Sequence, residues 1–238
     1  MPLIKISLFQ KNLSEGLNLQ TFKKLASLRS DFLILPSFFY SDQNVKQILE
    51  LKEKTQNAVD WLLKLSQSYK GVIIGGSVVQ VHEGKLYHST PIIYDENIVD
   101  WYQKRFLNQE ETSFFTAGSD IGMFMLNNIR FGVLIGEEIQ NIKLIEELKN
   151  NQIHLIFNPN ANPDEGKDEE ALLQYENDTY LKPAKELDIS IVNCDATGSF
   201  LGKKLLGRSL LATPKGISWR VLSNDLNKQI LKDIMVQI

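Results

Sequence analysis

The chain has a single cysteine in 238 residues. Cys194 alone can close no internal disulfide and cannot build a multi-thiolate zinc site, so a reducing, cytoplasmic setting is the simplest expectation. Long apolar runs are missing too. The longest, residues 32–39 and 71–81, fall well short of the roughly 18 needed to cross a bilayer, so no membrane partner is expected. Charge of either sign is nearly balanced, with 26 basic against 29 acidic residues and a net −3. Without a broad positive field, nucleic acid is not an expected partner. No Gly-x-Gly-x-x-Gly follows a strand and no Gly-x-x-x-x-Gly-Lys occurs, so no dinucleotide or P-loop cofactor is expected. His82, His88 and His154 are scattered and none lies two to five residues from the cysteine, which leaves a metal site without support. There is no Gly-x-Ser-x-Gly elbow of the esterase type.

What the chain does have is enough apolar residue, 43%, to build a full core. A chain of this length buries roughly 70 to 75% of its unfolded surface. No repeat, low-complexity tract or linker divides it, and one domain over residues 1–238 is expected. At the amino end Ile4, Ile6 and Leu8 alternate with Lys5 and Ser7, which reads as a first strand rather than a signal-peptide core. An apolar run, Asp31 to Leu35, is closed by Pro36. The spacing of Val45, Ile48, Leu49, Val59, Leu62 and Leu63 predicts an amphipathic helix over 44–69.

Three extended segments follow, 72–81, 86–94 and 98–104, separated by HEGK and DEN turns. Gly71, Gly75 and Gly76 read as strand bends. The second half alternates in the same way, with a hairpin around Asn127-Asn128, helices over 139–148 and 168–187, strands over 153–157 and 189–194, and a last hairpin turned at Pro214-Lys215-Gly216. Hairpins mixed with strand-helix-strand crossovers imply mixed sheets covered by helices.

Taken in order, these segments resemble the nitrilase superfamily, the carbon-nitrogen hydrolases. DFLILPSFF (31–39) is similar to that family's strand ending in Pro-Glu. The stretch 73–107 resembles the hairpins that deliver its lysine, and ETSFFTAG (111–118) the segment with its second glutamate. RFGVLIGEEI (130–139) resembles the strand and elbow of its cysteine. HLIFNPNA (154–161), VNCDATGSF (192–200) and GRSLLATPKGI (207–217) resemble three later signatures. The resemblance covers almost the whole chain. It implies an α/β fold, a four-layer α-β-β-α sandwich with two mixed sheets, and a homodimer.

The family's chemistry needs a cysteine nucleophile, a glutamate base, a lysine for the oxyanion and a second glutamate. By resemblance Lys104 and Glu111 match the last two. Ser37 stands where the base belongs, and Gly136 where the cysteine belongs. Glycine offers no nucleophile, and a serine hydroxyl is no proton acceptor near neutral pH. The resemblance therefore implies a hydrolase fold without the cysteine mechanism, binding a small amide or carboxylate or a partner protein. Two alternatives stay open: an amide or ester hydrolase using a Ser37–Lys104 dyad, and a scaffold subunit of an active paralogue.

Lys104 then reads either as an anion-binding group or as a structural partner of Glu111 and Glu138. Glu138 is a possible pocket acid, although with Glu137 it also suits a helix amino end. Cys194, on an apolar strand with no basic neighbour, reads as a small buried hydrophobe rather than a displaced nucleophile. Trp61, Trp101, Tyr102 and the Phe38-Phe39-Tyr40 cluster read as core or subunit contact.

Overall fold

In the computed structural model, which describes residues 3–238, the first half of the chain builds one sheet and its covering helices. Strand β1 (Leu3–Gln10) is followed by helix α1 (Leu19–Ala26), β2 (Phe32–Ile34), α2 (Glu50–Ser66), β3 (Val72–Ile74), β4 (Val78–His82), β5 (Lys85–Tyr94) and β6 (Asn97–Gln103). The second half supplies β7 (Met123–Leu126), β8 (Ile129–Val133), α3 (Ile142–Asn150), β9 (Leu155–Pro159), α4 (Glu169–Glu176), α5 (Lys182–Glu186), β10 (Ser190–Cys194), a short hairpin of β11 (Ser199–Phe200) and β12 (Lys203–Lys204), β13 (Leu210–Thr213), β14 (Gly216–Arg220) and β15 (Ile230–Gln237).

The first sheet runs β15-β1-β2-β3-β5-β4, with β6 also on β5, and the second runs β14-β13-β10-β9-β8-β7. Both are mixed: β1, β2 and β3 pair in parallel, as do β8, β9 and β10, while the flanking strands pair antiparallel. Strand periodicity decides which side chains meet. Ile4, Ile6, Leu8, Phe32 and Ile34 of the first sheet pack on Phe131, Val133 and Phe157 of the second, with the Phe32 ring edge-on to Phe131 at 5.1 Å. The alternate residues Leu33, Leu35, Ile73 and Ile93 face α1 and α2 through Leu25, Leu62 and Leu65. Helices α3 and α5 cover the outer side of the second sheet with Ile145, Leu148 and Ala184. Two mixed sheets between helical layers are the architecture expected.

Several predicted elements take a different form. The helix predicted over 44–69 begins only at Glu50. Val45 and Ile48 instead sit in turns over Val79 and Phe115, where tertiary burial outweighs helical periodicity. The helix predicted over 139–148 is a 3-10 turn, Gly136–Gln140, and then α3, whose first turn is capped by the Asn141 side chain accepting from the Lys143 amide. The 168–187 helix carries a π turn at Asn177–Leu181, one residue wider than the regular turn. The 72–81 strand breaks at Gly75-Gly76, where a Cβ on Gly76 would stand 2.2 Å from the Pro36 carbonyl. Strand β15, which pairs with β1 along its whole length, has no counterpart among the predicted elements. No helix among the described residues is long and apolar enough to cross a membrane.

Cys194 is fully buried on β10, its thiol on the carbonyls of Phe9 and Ile34, and burial pushes its pKa well up. One buried ion cluster ties the ends of the second sheet to α4. Glu176, 2% exposed, receives the Arg208 and Arg220 guanidiniums, and Arg208 is only 3% exposed. Glu176→Leu leaves the buried Arg208 guanidinium only the half-exposed Glu169 carboxylate, 2.8 Å away, and is expected to lower unfolding stability by about 3 kcal/mol, read from urea midpoints. The double variant with Arg208→Met should recover part of that loss.

Candidate functional site

Three loops converge at the carboxyl ends of β2, β6 and β8. Lys104 follows β6 and is 3% exposed, so its ammonium needs a counter-charge. It finds one in Glu111, donating to Oε1 at 2.8 Å and Oε2 at 2.6 Å. Glu111 opens a 3-10 turn held by Asn108, whose amide side chain accepts from the Glu111 N–H while its own backbone N–H donates to Oε2. A third side chain reaches the carboxylate: His88, 4% exposed, lies 2.9 Å from Oε1 through Nδ1 and 2.6 Å from Ser77 Oγ through Nε2.

Burial by itself would raise the Glu111 carboxyl, but the hydrogen bonds from His88 and Lys104 and the charge each carries in acid outweigh it and hold the group at about 2. Burial lowers the His88 pKa, against the pull of Glu111, so at neutral pH the ring is uncharged. A carboxylate at Glu111 makes Nδ1 the N–H donor, and the Ser77 hydroxyl then donates to Nε2.

Gly136 begins the 3-10 turn after β8 with φ +58°, and a Cβ placed there would stand 3.7 Å from Lys104 Nζ and 3.8 Å from Asn160 Oδ1. Gly136, which the resemblance sets at the nucleophile position, thus lies against the lysine, with room for a side chain. Ser37 is 2% exposed and donates its hydroxyl to the Pro159 carbonyl, not to Lys104. Lys104, Glu111, Gly136 and Ser37 all line one open cavity of about 510 Å³, with Phe38, Phe114, Phe200 and Leu201 among its apolar walls.

Glu138, expected as a possible pocket acid, lies behind this floor. Fully buried, it accepts from the Tyr102 hydroxyl and from the backbone N–H groups of Ile135, Arg105 and Phe106. Desolvation lifts its pKa, and those N–H groups pull it back. Its work is to tie the Gly136 turn to the end of β6. Lys104 makes no bond to it, because Glu111 takes the ammonium instead. Glu137, on the cavity rim, accepts from Asn108 Nδ2.

Three residues of the site carry no signal in the sequence pattern. His88 stands there only as a histidine without metal-binding neighbours. Ser77 and Asn160 lie in apolar or loop segments with no spacing of their own. His88 reaches the site because the Lys104 N–H donates to its carbonyl directly across the β5–β6 hairpin, in a register that a bulge between Ile92 and Ile93 sets.

No family model matches the chain. In sequence it is 25% identical over 177 residues to the glutamine-dependent NAD(+) synthetase of Acinetobacter baylyi, a match over 71% of this chain and 31% of that protein. It therefore spans about a third of the length of that curated relative. In structure it is similar to the glutamine-dependent NAD+ synthetase of Acinetobacter baumannii, with TM-score 0.81, 19% identity, and 99% of this chain on 46% of that one. Saccharomyces cerevisiae Nit3, of branch 10 of the nitrilase superfamily, superposes at TM-score 0.78 and 17% identity over 98% of this chain and 89% of its own. A variant of the Nesterenkonia AN1 amidase from the same superfamily gives 0.80 and 16% over 98% and 90%.

The chain has the fold of the nitrilase superfamily. Within that fold the Lys104–Glu111 pair has a consequence for stability. Glu111 titrates at about 2 in the folded protein against about 4.3 in an unfolded chain. Its stabilising contribution is then complete above that unfolded value and is lost as pH falls toward the folded one. Glu111→Gln is expected to lower the urea midpoint at neutral pH and to flatten its decline in acid. An unaltered acid limb would mean the pair contributes nothing.

Proposed function

We propose that this nitrilase-fold chain does not hydrolyse by a cysteine mechanism and instead binds a small neutral ligand through a primary carboxamide. The observation that carries the first half is Gly136, whose missing side chain would point at the Lys104 ammonium from 3.7 Å. An attacking atom is absent where the oxyanion would meet its counter-charge, and no general base stands at Ser37. Similarity to the Nesterenkonia amidase, a protein described with an active-site cysteine, gives the comparison its meaning.

The choice of carboxamide over carboxylate rests on the floor's hydrogen-bond polarity. Lys104 can donate to a carbonyl oxygen. Beside it Asn160 presents Oδ1, oriented by the Ala161 N–H at 2.9 Å while its Nδ2 is turned toward Asn158 and Asn193. A donor NH₂ next to a carbonyl satisfies both groups, whereas a second carboxylate oxygen would face Asn160 Oδ1 unpaired, at a cost of about 1 to 3 kcal/mol. Glu110 and Glu137 at the rim add to the bias against an anion.

An open cavity also favours a ligand over a purely structural role. The Ser37–Lys104 dyad draws no support from the hydrogen bonds, since Ser37 is turned to Pro159 and Lys104 to Glu111.

The test uses butyramide, which the Nesterenkonia amidase holds in one of its complexes, with butyrate as the control. Calorimetry or ligand-observed NMR should show butyramide binding, butyrate binding at least roughly tenfold weaker, and no ammonia release. Ammonia release abolished by Lys104→Ala would overturn the reading. If Ser37→Ala also abolished it and Cys194→Ala did not, the dyad would replace it.

As a gain-of-function test, Gly136→Cys with Ser37→Glu should create a thiol alkylated by iodoacetamide at neutral pH and sensitive to Lys104→Ala. Left-handed backbone at 136 sets a strain cost of about 1 to 3 kcal/mol on that variant.

A further inference from the structure

The Lys104 ammonium is aimed by one group alone. Its only hydrogen-bond partners among the described residues are the two oxygens of Glu111, so wherever that carboxylate swings the charge follows. Glu111 in turn has one anchor on each oxygen besides the lysine: the Asn108 N–H on Oε2 and His88 Nδ1 on Oε1. Asn108 belongs to the same turn as Glu111 and moves with it. His88 belongs to the sheet.

The imidazole itself is held on three sides. Phe38 stacks on one face at 4.7 Å between centroids and 13° between planes, and Phe115 stacks at 5.6 Å and 30°. Phe38 is backed by Phe200 of the β11–β12 hairpin, again at 4.7 Å and 13°. The edge opposite Glu111 is bound by Ser77 Oγ at 2.6 Å. The order serine, histidine, carboxylate looks like a hydrolytic triad. However, Ser77 is fully buried and does not line the cavity, so no substrate carbon can reach its oxygen.

We propose that His88 is a positioning residue: with Ser77 on its outer edge and Phe38 and Phe115 on its faces, it locks Glu111 against the sheet and thereby aims the Lys104 ammonium at the space over Gly136. The Ser77–His88–Glu111–Lys104 chain is then a relay of fixed hydrogen bonds leading toward the cavity, and its output is the direction of one ammonium N–H. Its role in affinity rests on the carboxamide reading; its role in orienting Lys104 does not.

The test compares His88→Phe, which keeps the ring stack and removes both ring nitrogens, with His88→Asn, whose side-chain amide can still donate to Glu111. The readout is the ¹⁵N–¹H correlation of buried lysine ammonium groups, recorded below pH 7 and at low temperature. Lys11 is the internal control: it is 1% exposed, its Nζ donates to the carbonyls of Asn12, Glu15 and Ser41, and its pKa, lowered by burial to about 8, leaves it charged there.

His88→Phe should lose the Lys104 resonance by exchange while keeping that of Lys11, and His88→Asn should restore it. A Lys104 resonance undisturbed in His88→Phe overturns the proposal. Should His88→Phe lose both resonances, Ser77→Ala decides: selective broadening of Lys104 supports the relay, and an unaltered spectrum overturns it.

Butyramide affinity, the second readout, should fall roughly tenfold in His88→Phe and recover in His88→Asn. If butyramide fails to bind the unmodified protein while the ammonium resonance responds as described, the relay stands and the carboxamide reading falls.

Discussion

The site hangs on one buried ion pair. An ammonium that is 3% exposed costs several kcal/mol of desolvation unless a carboxylate meets it with good geometry. Glu111 meets Lys104 with both oxygens, and further hydrogen bonds from His88 and the Asn108 N–H saturate that carboxylate. The pair also links elements distant in sequence. Lys104 closes the β5–β6 hairpin, Glu111 opens the next turn, and the Gly136 turn from the other sheet is drawn alongside. Glu138 reinforces the junction from behind, accepting N–H groups from both sides of it.

Charge and shape at this point tell separate stories. Electrostatically the floor is complete: a paired ammonium, a neutral histidine and an asparagine oxygen fixed by its own neighbour. Gly136 and Ser37 bring neither a thiol nor a carboxylate to it. On the proposed reading, such a floor recognises a polar head without a bond being made to it. The wide apolar walls around it leave space for the remainder of a ligand.

Much of the fold was legible in local pattern. The β5–β6 and β7–β8 hairpins lie where their turn residues placed them, with Asp95, Glu96, Asn127 and Asn128 all at positive φ. The parallel strands were visible as short apolar runs, and Asp168 caps the helix that follows it. Less visible were elements whose identity depends on distant partners. Strand β15 is largely exposed on one face and becomes a strand only because β1 offers it an edge. Residues 44–49 have helical spacing and yet form turns, since Val45 and Ile48 are needed over Phe115.

Sequence by itself determined which side chains are available: Lys104, Glu111, Gly136 and Ser37 at the places where the resemblance sets a lysine, a glutamate, a nucleophile and a base, and strand runs in the order that makes two sheets. These are properties of identity and order, and a resemblance can carry them. Tertiary structure alone decided that His88 belongs to the site. A bulge between Ile92 and Ile93 shifts the β5–β6 register by one residue. Without that shift the turn at Asp95–Asn97 would set Lys104 opposite Tyr87 instead of His88. One step of register turns every later side chain to the other face of a strand. No local pattern announced where the extra residue would be absorbed, because packing between the sheet and its neighbours sets that.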